Sequence, residues 1–342
     1  MNETPATLYQ IADEEIRKCI QAYLTLTKAS KGLSNVTPDM VQDERTRAIL
    51  LAGLGLRGVL LSATDACEEC RRRRALPFDL EAGITTGVYV NIRACGMRFL
   101  QCVEKLTDGF RRFDPAFIQT NPHLLPLLQH LAGVFSKAAL KREIGRVSDT
   151  AISKPAAERL AQMLQSRVDP SKVNKGEVLQ RLESTLEGIV RDLVGRVLLE
   201  SIVEMALKDR GLPFKREQEY DSLPGVVYDF RADFVVPHET EPKAFIEVRK
   251  SSSRHASLYA KDKMFSAINW KGRNRQLLAV LVVDGEWTGE TLRVMAKVFD
   301  YVVPMQRVSD LVDTLDAYLK GDKSKLKWLI EFKIAEARTT EP

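Results

Sequence analysis

The chain has 342 residues, of which 44% are hydrophobic and 28% charged, and its net charge is +5. This composition excludes a disordered chain and predicts one large or two ordinary folded domains. The small positive excess permits a polyanionic partner without requiring one. The apolar runs are too short for a membrane span, the N-terminal segment lacks a signal-peptide core, and five cysteines are too few for a disulfide framework. We therefore expect a protein of the reducing cytoplasm that makes no membrane contact.

The first half of the chain predicts helices, because apolar residues recur at helical spacing over residues 8–26, 43–70, 96–113 and 124–144. A further helix begins near Ser153, with Pro155 in its first turn. A polar hinge over 166–177 follows. We therefore predict an all-helical N-terminal domain over residues 1–177.

The second half, residues 178–342, predicts an α/β domain. It opens with a long amphipathic helix that Gly211 and Pro213 end. Three short strands are predicted over 215–220, 227–236 and 243–251, and then helix, strand, helix, strand and helix follow up to residue 319. This order describes a mixed sheet that is flanked by helices and contains at least one parallel pair.

Two acidic residues lie in neighbouring predicted strands. Asp233 belongs to the second strand and Glu247 to the third, and a tight turn over 237–242 folds these strands together. Carboxylates that meet at one edge of a sheet suit Mg²⁺, which prefers oxygen ligands. An ordinary alternative is that the two acids pair with Arg231 and Arg249 across the hairpin. Asp229 is an alternative to Asp233, because strand alternation places both on one face.

The order of elements and acids resembles the PD-(D/E)xK nuclease superfamily, and among its members the type II restriction endonucleases. The resemblance covers roughly residues 190–318. It rests on Glu200 in the helix before the sheet, on Asp233, and on Glu247 followed by Arg249 and Lys250. It implies a restriction-endonuclease-like fold for the C-terminal domain.

The resemblance also implies the chemistry, which is phosphodiester hydrolysis that leaves 5′-phosphates and 3′-hydroxyls. Asp233, Glu247 and the backbone carbonyl of Val248 are expected to hold Mg²⁺, which polarises the phosphate and lowers the pKa of a bound water. Glu200 is expected to hold an outer-shell water or a second ion. A cationic side chain is expected to orient the water and offset charge on the phosphoryl group.

The identity of that cationic side chain is open. Strict Glu-x-Lys spacing places Arg249 at the third position, and an arginine stays protonated. Lys250 points to the other face unless a bulge at the strand end re-aims it. We favour Lys250, because lysine is the usual residue of the family. Lys261 and Lys263, in the next predicted helix, are further alternatives.

Basic side chains elsewhere are candidates for phosphate contact. One run covers residues 71–74, and another covers residues 271–275 between a predicted helix and the buried strand. Asn269 and Asn274 are candidates for base contact, although asparagines in loops more often satisfy turns. The cysteine pair Cys67 and Cys70 resembles half of a zinc site, but buried thiols are the simpler interpretation. The expected DNA contacts are Arg71, Arg72, Arg73, Arg74, Lys271, Arg273, Arg275 and Ser251.

Together these expectations describe a Mg²⁺-dependent, sequence-specific endonuclease of double-stranded DNA, a type II restriction enzyme. The resemblance implies that the helical domain contributes DNA recognition, dimerisation, or both. A homodimer is expected, because two-fold DNA sites mirror two-fold proteins. The sequence contains no phosphate-binding loop of the G-x-x-x-x-G-K-[ST] type, so we expect no NTP. The alternatives are a structure-specific repair or recombination nuclease, and a DNA-binding protein that keeps the fold without catalysis.

Overall fold

The computed structural model describes residues 6–251 and 256–331, and the side chains of 6–89, 92–194, 198–251 and 260–331. The protein is a mixed α/β structure with a helical N-terminal region and a five-stranded sheet, as predicted. None of the helices within the described residues combines the length and apolar composition needed to cross a bilayer.

The chain forms two compact units that do not follow the predicted boundary at residue 177. A helical unit comprises Met1–Cys19, Glu44–Leu60 and Leu80–Arg196. A sheet unit comprises Ile20–Asp43, Leu61–Asp79 and Val197–Pro342. Two segments of the first half are thus part of the compact unit that contains the sheet.

Two of the helical segments that the sequence predicted are each a pair of helices in the structure. The segment 43–70 is two helices, because the chain leaves the helical conformation where Gly55 and Gly58 adopt φ angles of 82° and 71°. The segment 124–144 divides at Gly133, whose φ is 70°. The helices are α1 Leu8–Ala29, α2 Glu44–Gly53, α3 Ala63–Arg72, α4 Leu80–Leu106, α5 Pro115–Thr120, α6 Leu125–Leu131, α7 Lys137–Ile144, α8 Lys154–Arg167 and α9 Lys175–Asp209.

The remaining elements occur in the predicted order. The sheet is arranged β1-β2-β3-β4-β5, with antiparallel pairing from β1 to β3 and parallel pairing from β3 to β5. The elements are β1 Lys215–Arg216, β2 Phe234–Val236, β3 Ala244–Ser251, α10 Ala256–Arg273, β4 Leu278–Gly285, α11 Gly289–Met295, β5 Tyr301–Pro304 and α12 Val308–Leu319.

The first two strands are much shorter than predicted. After Arg216 the chain turns into a 3₁₀ helix over Glu217–Glu219. The part of the predicted second strand that precedes Phe234 is not in a strand, because side chains hydrogen-bond its backbone groups. The Tyr220 hydroxyl, for example, accepts from Ala232 N at 2.6 Å and donates to Ala232 O at 2.8 Å. Asp233 therefore lies directly before β2, and Asp229 lies outside any strand.

Helix α10 covers the sheet face on which Glu247 lies. Phe245, two residues before Glu247, packs edge-on against Trp270 of α10 with ring centroids 4.7 Å apart. Both side chains are fully buried in a cluster that also includes Leu281 and Ala267. This packing fixes the helix against the strand and thereby places the polar residues of α10 near Glu247.

Candidate functional site

Asp233 and Glu247 lie on the same face of the sheet. Phe234 pairs with Ile246 and Val235 with Phe245, and continuing this antiparallel register sets Asp233 opposite Glu247. The amide of Val248 donates to Asp233 Oδ2 at 2.7 Å. Both carboxylates are buried, Asp233 to 8% exposure and Glu247 to 1%. The predicted juxtaposition of the two acids is confirmed.

The guanidinium of Arg249 contacts all three groups that were predicted to hold a metal ion. Its Nη1 lies 3.2 Å from Asp233 Oδ2 and donates to the Val248 carbonyl at 2.7 Å. Its Nη2 lies 3.3 Å from Glu247 Oε2. One cation thus stands among two carboxylates and one backbone carbonyl. The same contacts also agree with the alternative that Arg249 simply forms ion pairs with the two acids. Arg231, the other arginine of that alternative, is exposed.

Lys263 of α10 is the second cation of the site. Its Nζ lies 2.8 Å from Glu247 Oε2, and Lys263 is only 8% exposed. This ammonium and the Arg249 guanidinium are the charged partners of Oε2, whereas Oε1 has no hydrogen-bond donor among the residues that the structure describes. A buried carboxylate oxygen without a donor is costly, and a bound ligand or water would satisfy it.

Burial shifts the ionisation of Glu247. Removal from water, together with the smaller effect of the neighbouring Asp233 carboxylate, raises the pKa of its carboxyl from 4.5 to about 7, although Lys263 and Arg249 act in the opposite direction. Burial thus outweighs the two cations. A carboxyl that titrates near neutrality inside a charged cluster is typical of functional sites.

These residues fit a single hard cation. Mg²⁺ is commonly held by one or two carboxylates together with water and phosphate oxygens, and Glu247 Oε1, which has no donor among the described residues, is available for it. Within the described part of the chain, no group of three or more His, Cys, Asp or Glu side chains is able to hold a metal ion. A site here would therefore depend on Asp233, Glu247 and the Val248 carbonyl.

The expected bulge at the end of β3 is wrong. The β3–β4 ladder runs without interruption from Ala244 paired with Leu278 to Ser251 paired with Gly285. Alternation then places Lys250 on the face opposite Glu247 and Arg249. Lys250 and Lys261 are exposed. Of the lysine alternatives, Lys263 is the one that contacts Glu247.

The remaining predicted acids lie in other surroundings. Glu200 of α9 pairs with Arg216 Nη2 at 3.0 Å, and Glu204 with Arg216 Nη1 at 3.0 Å. Asp229 is exposed, and its Oδ1 accepts from the amide of Gly225 at 3.0 Å. Asp229 therefore caps a turn, and the expectation that it shares a strand face with Asp233 is wrong. A catalytic role for Glu200 stays a prediction.

The predicted DNA contacts divide into exposed and buried residues. Lys271 is fully buried in the last turns of α10, where it pairs with Asp300, so its predicted place in a DNA-contacting loop is wrong. Ser251 is 4% exposed, which contradicts a surface contact. Arg275 is exposed and pairs with Glu331 at 2.8 Å, and Arg273 is exposed. Those two arginines remain candidates.

The arginine run lies at and after the end of α3. Arg71, Arg72 and Arg74 are exposed, and Arg73 is partly buried. Arg72 and Arg73 both pair with Glu69, Arg73 at a distance of 3.0 Å. DNA contact by this run stays a prediction.

The cysteine pair and the asparagines have structural surroundings. Cys67 and Cys70 are buried in α3, and burial raises the pKa of both thiols, which disfavours the thiolates that zinc requires. Asn274 donates to the Pro242 carbonyl at 3.3 Å. Asn269 is 2% exposed and hydrogen-bonds the loop around Tyr228. These hydrogen bonds occupy the side-chain amide of Asn269, which contact with a base would need.

Tyr220 is a residue of the site that sequence reasoning missed. Its hydroxyl bridges the amide and carbonyl of Ala232, the residue before Asp233. The backbone carbonyl of Asp233 also accepts from Glu217 N at 3.0 Å. Tyr220 therefore positions Asp233 by fixing the backbone beside it. A buried tyrosine that lies twelve residues before Ala232 gives no local sequence signal for this role.

Comparison with known proteins adds no relative. No family model matches the chain, no curated protein matches its sequence, and no solved structure matches it.

Proposed function

We propose that the protein is a Mg²⁺-dependent nuclease that hydrolyses phosphodiester bonds in DNA, with its active centre at Asp233, Glu247, Arg249 and Lys263. The observation that carries this proposal is the convergence of two carboxylates and the Val248 carbonyl on one cation, the Arg249 guanidinium. Oxygen atoms that converge on a guanidinium form a negatively charged site, and a divalent cation requires such oxygen ligands.

The magnesium ion, when bound, would polarise the scissile phosphate and lower the pKa of a water. The chain's own residues do the rest. Asp233 is oriented by the Val248 amide, and Glu247 must be ionised to act as a ligand. Arg249, once released from its contacts with Asp233 and Glu247, would turn toward the phosphate and offset its charge.

Lys263 takes the role that the sequence pattern gave to Lys250. Its ammonium group is held 2.8 Å from Glu247, in a buried position on the sheet face of the site. A lysine there orients the attacking water and stabilises negative charge that develops on the phosphoryl group. Helix α10 supplies the lysine, so the Glu-x-Lys spacing within β3 is not required.

The finer proposal is that the nuclease cuts double-stranded DNA at a specific sequence, as a homodimer and as a type II restriction endonuclease does. It rests on the family resemblance and on the restriction-endonuclease-like order of elements around the sheet. The sheet order, with two antiparallel pairs followed by two parallel pairs, is compatible with that fold. A cytoplasmic location is part of the same proposal.

A second candidate is a DNA-binding protein without catalysis. The observation that favours it is again Arg249, because a guanidinium that pairs permanently with Asp233 and Glu247 would exclude the metal. The two candidates differ in whether added Mg²⁺ displaces this ion pair.

One experiment separates these functions. Plasmid DNA, linear duplexes and branched or flapped duplexes are incubated with the protein and Mg²⁺. Discrete plasmid fragments support sequence-specific cleavage, whereas cutting of branched or flapped DNA alone supports a structure-specific nuclease. Binding without cutting by the wild type supports the inactive module. Asp233→Asn and Glu247→Gln are expected to abolish cutting and retain binding, and cutting by both variants would contradict the proposed centre.

A further inference from the structure

Beside the proposed centre, four aromatic rings form a column from the core to the surface. Trp270 stacks on Phe230 with ring centroids 4.4 Å apart, Phe230 on Tyr228 at 4.8 Å, and Tyr228 on Phe265 at 5.7 Å. The angles between successive ring planes are 30°, 29° and 25°. Trp270 is fully buried, whereas Tyr228 and Phe265 are 42% and 44% exposed. The column therefore ends in ring surface that faces solvent.

The loop that carries Tyr228 is held rigidly. Asn269, which is buried in α10, accepts from Val227 N at 2.8 Å and donates to Tyr228 O at 2.9 Å. Val226 N donates to the Asn269 carbonyl at 3.1 Å. At Gly225 a side chain would overlap the Asn269 amide and the Tyr228 carbonyl. The exposed ring is thus fixed in place before any partner binds, which lowers the entropic cost of binding.

The column belongs to the same packing unit as the proposed centre. Its inner ring, Trp270, contacts Phe245, which lies two residues before Glu247 on the same strand face. Its outer ring, Phe265, lies on α10 two residues after Lys263, and residues two apart on a helix do not share a face. The column is therefore linked to the proposed centre through the contact between Trp270 and Phe245.

The charges around the outer ring indicate how a nucleotide would lie. Lys261 is exposed one helical turn before Phe265, so the two residues are neighbours on the helix surface. Asp262, which is also exposed, is close enough to help raise the pKa of the Tyr228 hydroxyl after the larger effect of burial. A phosphate is thus expected on the Lys261 side of the column and a neutral base over the rings.

We propose that Tyr228 and Phe265 form a stacking platform for an unpaired nucleobase, which continues the column as its next ring. This inference deepens the general proposal of a DNA nuclease and rests on it for the identity of the ligand. It favours the structure-specific alternative over a restriction enzyme that cuts fully paired DNA, because it specifies the substrate class as DNA with a base that is single-stranded, unpaired or displaced from the stack. Fully paired DNA buries its base faces and offers the platform nothing.

The test measures stacking without cleavage. The protein is titrated in EDTA into a short single-stranded oligonucleotide that carries the fluorescent base 2-aminopurine, and into the same strand in a duplex. We expect quenching and tighter binding with the single strand. Phe265→Leu and Tyr228→Leu should each remove the quenching and weaken binding by between about fivefold and about a hundredfold, whereas Phe265→Trp should retain both.

A matched control is Phe135→Leu, because Phe135 is 70% exposed in the helical unit and should leave binding unchanged. Circular dichroism and the thermal midpoint verify that each variant is folded. Equal quenching by wild type and Phe265→Leu, or quenching in neither strand form, overturns the platform.

The platform and the nuclease proposal fail separately. If quenching depends on Phe265 but the protein never cuts DNA with Mg²⁺, the platform proposal stands and the nuclease proposal is refuted. Cutting of DNA with no quenching retains the nuclease and refutes the platform. Binding to fully paired duplex alone also refutes the platform, because stacked bases expose no face to it.

Discussion

The substitution Glu247→Gln is expected to stabilise the protein at alkaline pH. Because the folded state binds the Glu247 proton more tightly than the unfolded chain does, ionising this carboxyl costs the folded state free energy. The cost is absent below pH 4.5, grows as the pH rises toward 7, and is complete above 7. A pKa raised from 4.5 to about 7 corresponds to about 3 kcal/mol.

Glutamine mimics the protonated carboxyl in size and cannot ionise, so it avoids this cost. Wild type and Glu247→Gln should therefore be similarly stable near pH 4.5, and the variant should be more stable by up to about 3 kcal/mol at pH 8. Taking the difference between two proteins at each pH cancels the titration of other groups. Glu290→Gln, an exposed control on α11, should leave the difference near zero throughout.

Tryptophan fluorescence in urea is the suitable measurement. All three tryptophans of the chain, Trp270, Trp287 and Trp328, belong to the sheet unit, so the signal reports the unfolding of that unit. A stability difference that stays constant from pH 4.5 to 8, or that favours the wild type at pH 8, would refute the reasoning that burial dominates the environment of Glu247.

Three further predictions concern lysines and one glycine of the sheet unit. Lys263→Met should lower the Mg²⁺-dependent cleavage rate by at least about a hundredfold, whereas Lys250→Ala should change it little. Initial-rate assays measure both, and a larger loss in Lys250→Ala would assign the catalytic role to Lys250 of β3. Lys271→Met leaves Asp300 buried without its cation and should lower the free energy of unfolding by about 3–5 kcal/mol, read from urea curves; a loss below 1 kcal/mol would contradict this. Gly225→Ala should destabilise the loop by about 1–3 kcal/mol and abolish 2-aminopurine quenching, and unchanged quenching would show that the loop adapts.

The sequence predicted the order of the elements and the meeting of the two acids. Both depend on local signals: the change from helical to alternating apolar spacing, and a turn that is short enough to fold Asp233 onto Glu247. The coarse fold class follows from the same signals. Antiparallel register then places opposite residues on one face, so the two carboxylates needed no further information.

The cation of the site could not be predicted from spacing. Lys263 reaches Glu247 because Trp270 packs against Phe245 and fixes the rotation of α10, which is a matter of packing between distant segments. The lengths of the first strands were wrong for a related reason. The Tyr220 hydroxyl and the Asn269 amide bind backbone groups that alternating apolar residues alone would assign to a ladder.

Lys271 shows how a basic run misleads. The run KGRNR carries the charge pattern of a phosphate contact, but α10 extends through Arg273 and turns Lys271 inward. There Asp300 accepts from Lys271, from Ala279 N at 2.8 Å and from the amides of Lys327 and Trp328 at 2.6 and 2.8 Å. One buried carboxylate thus joins a helix, a strand and the C-terminal segment, and no pattern within the run reveals its partner.

In the proposed nuclease, the position of Arg249 would make metal loading and DNA binding interdependent. A divalent ion and the guanidinium would compete for the same oxygens, so the ion would enter at low cost only when another group attracts the arginine. A DNA phosphate would be such a group, and we therefore expect cooperativity: magnesium should bind more tightly to the DNA complex than to the free protein. Calorimetric titration with Ca²⁺ as a non-cleaving substitute tests it, and equal affinities with and without DNA would show that the arginine is no obstacle to the ion.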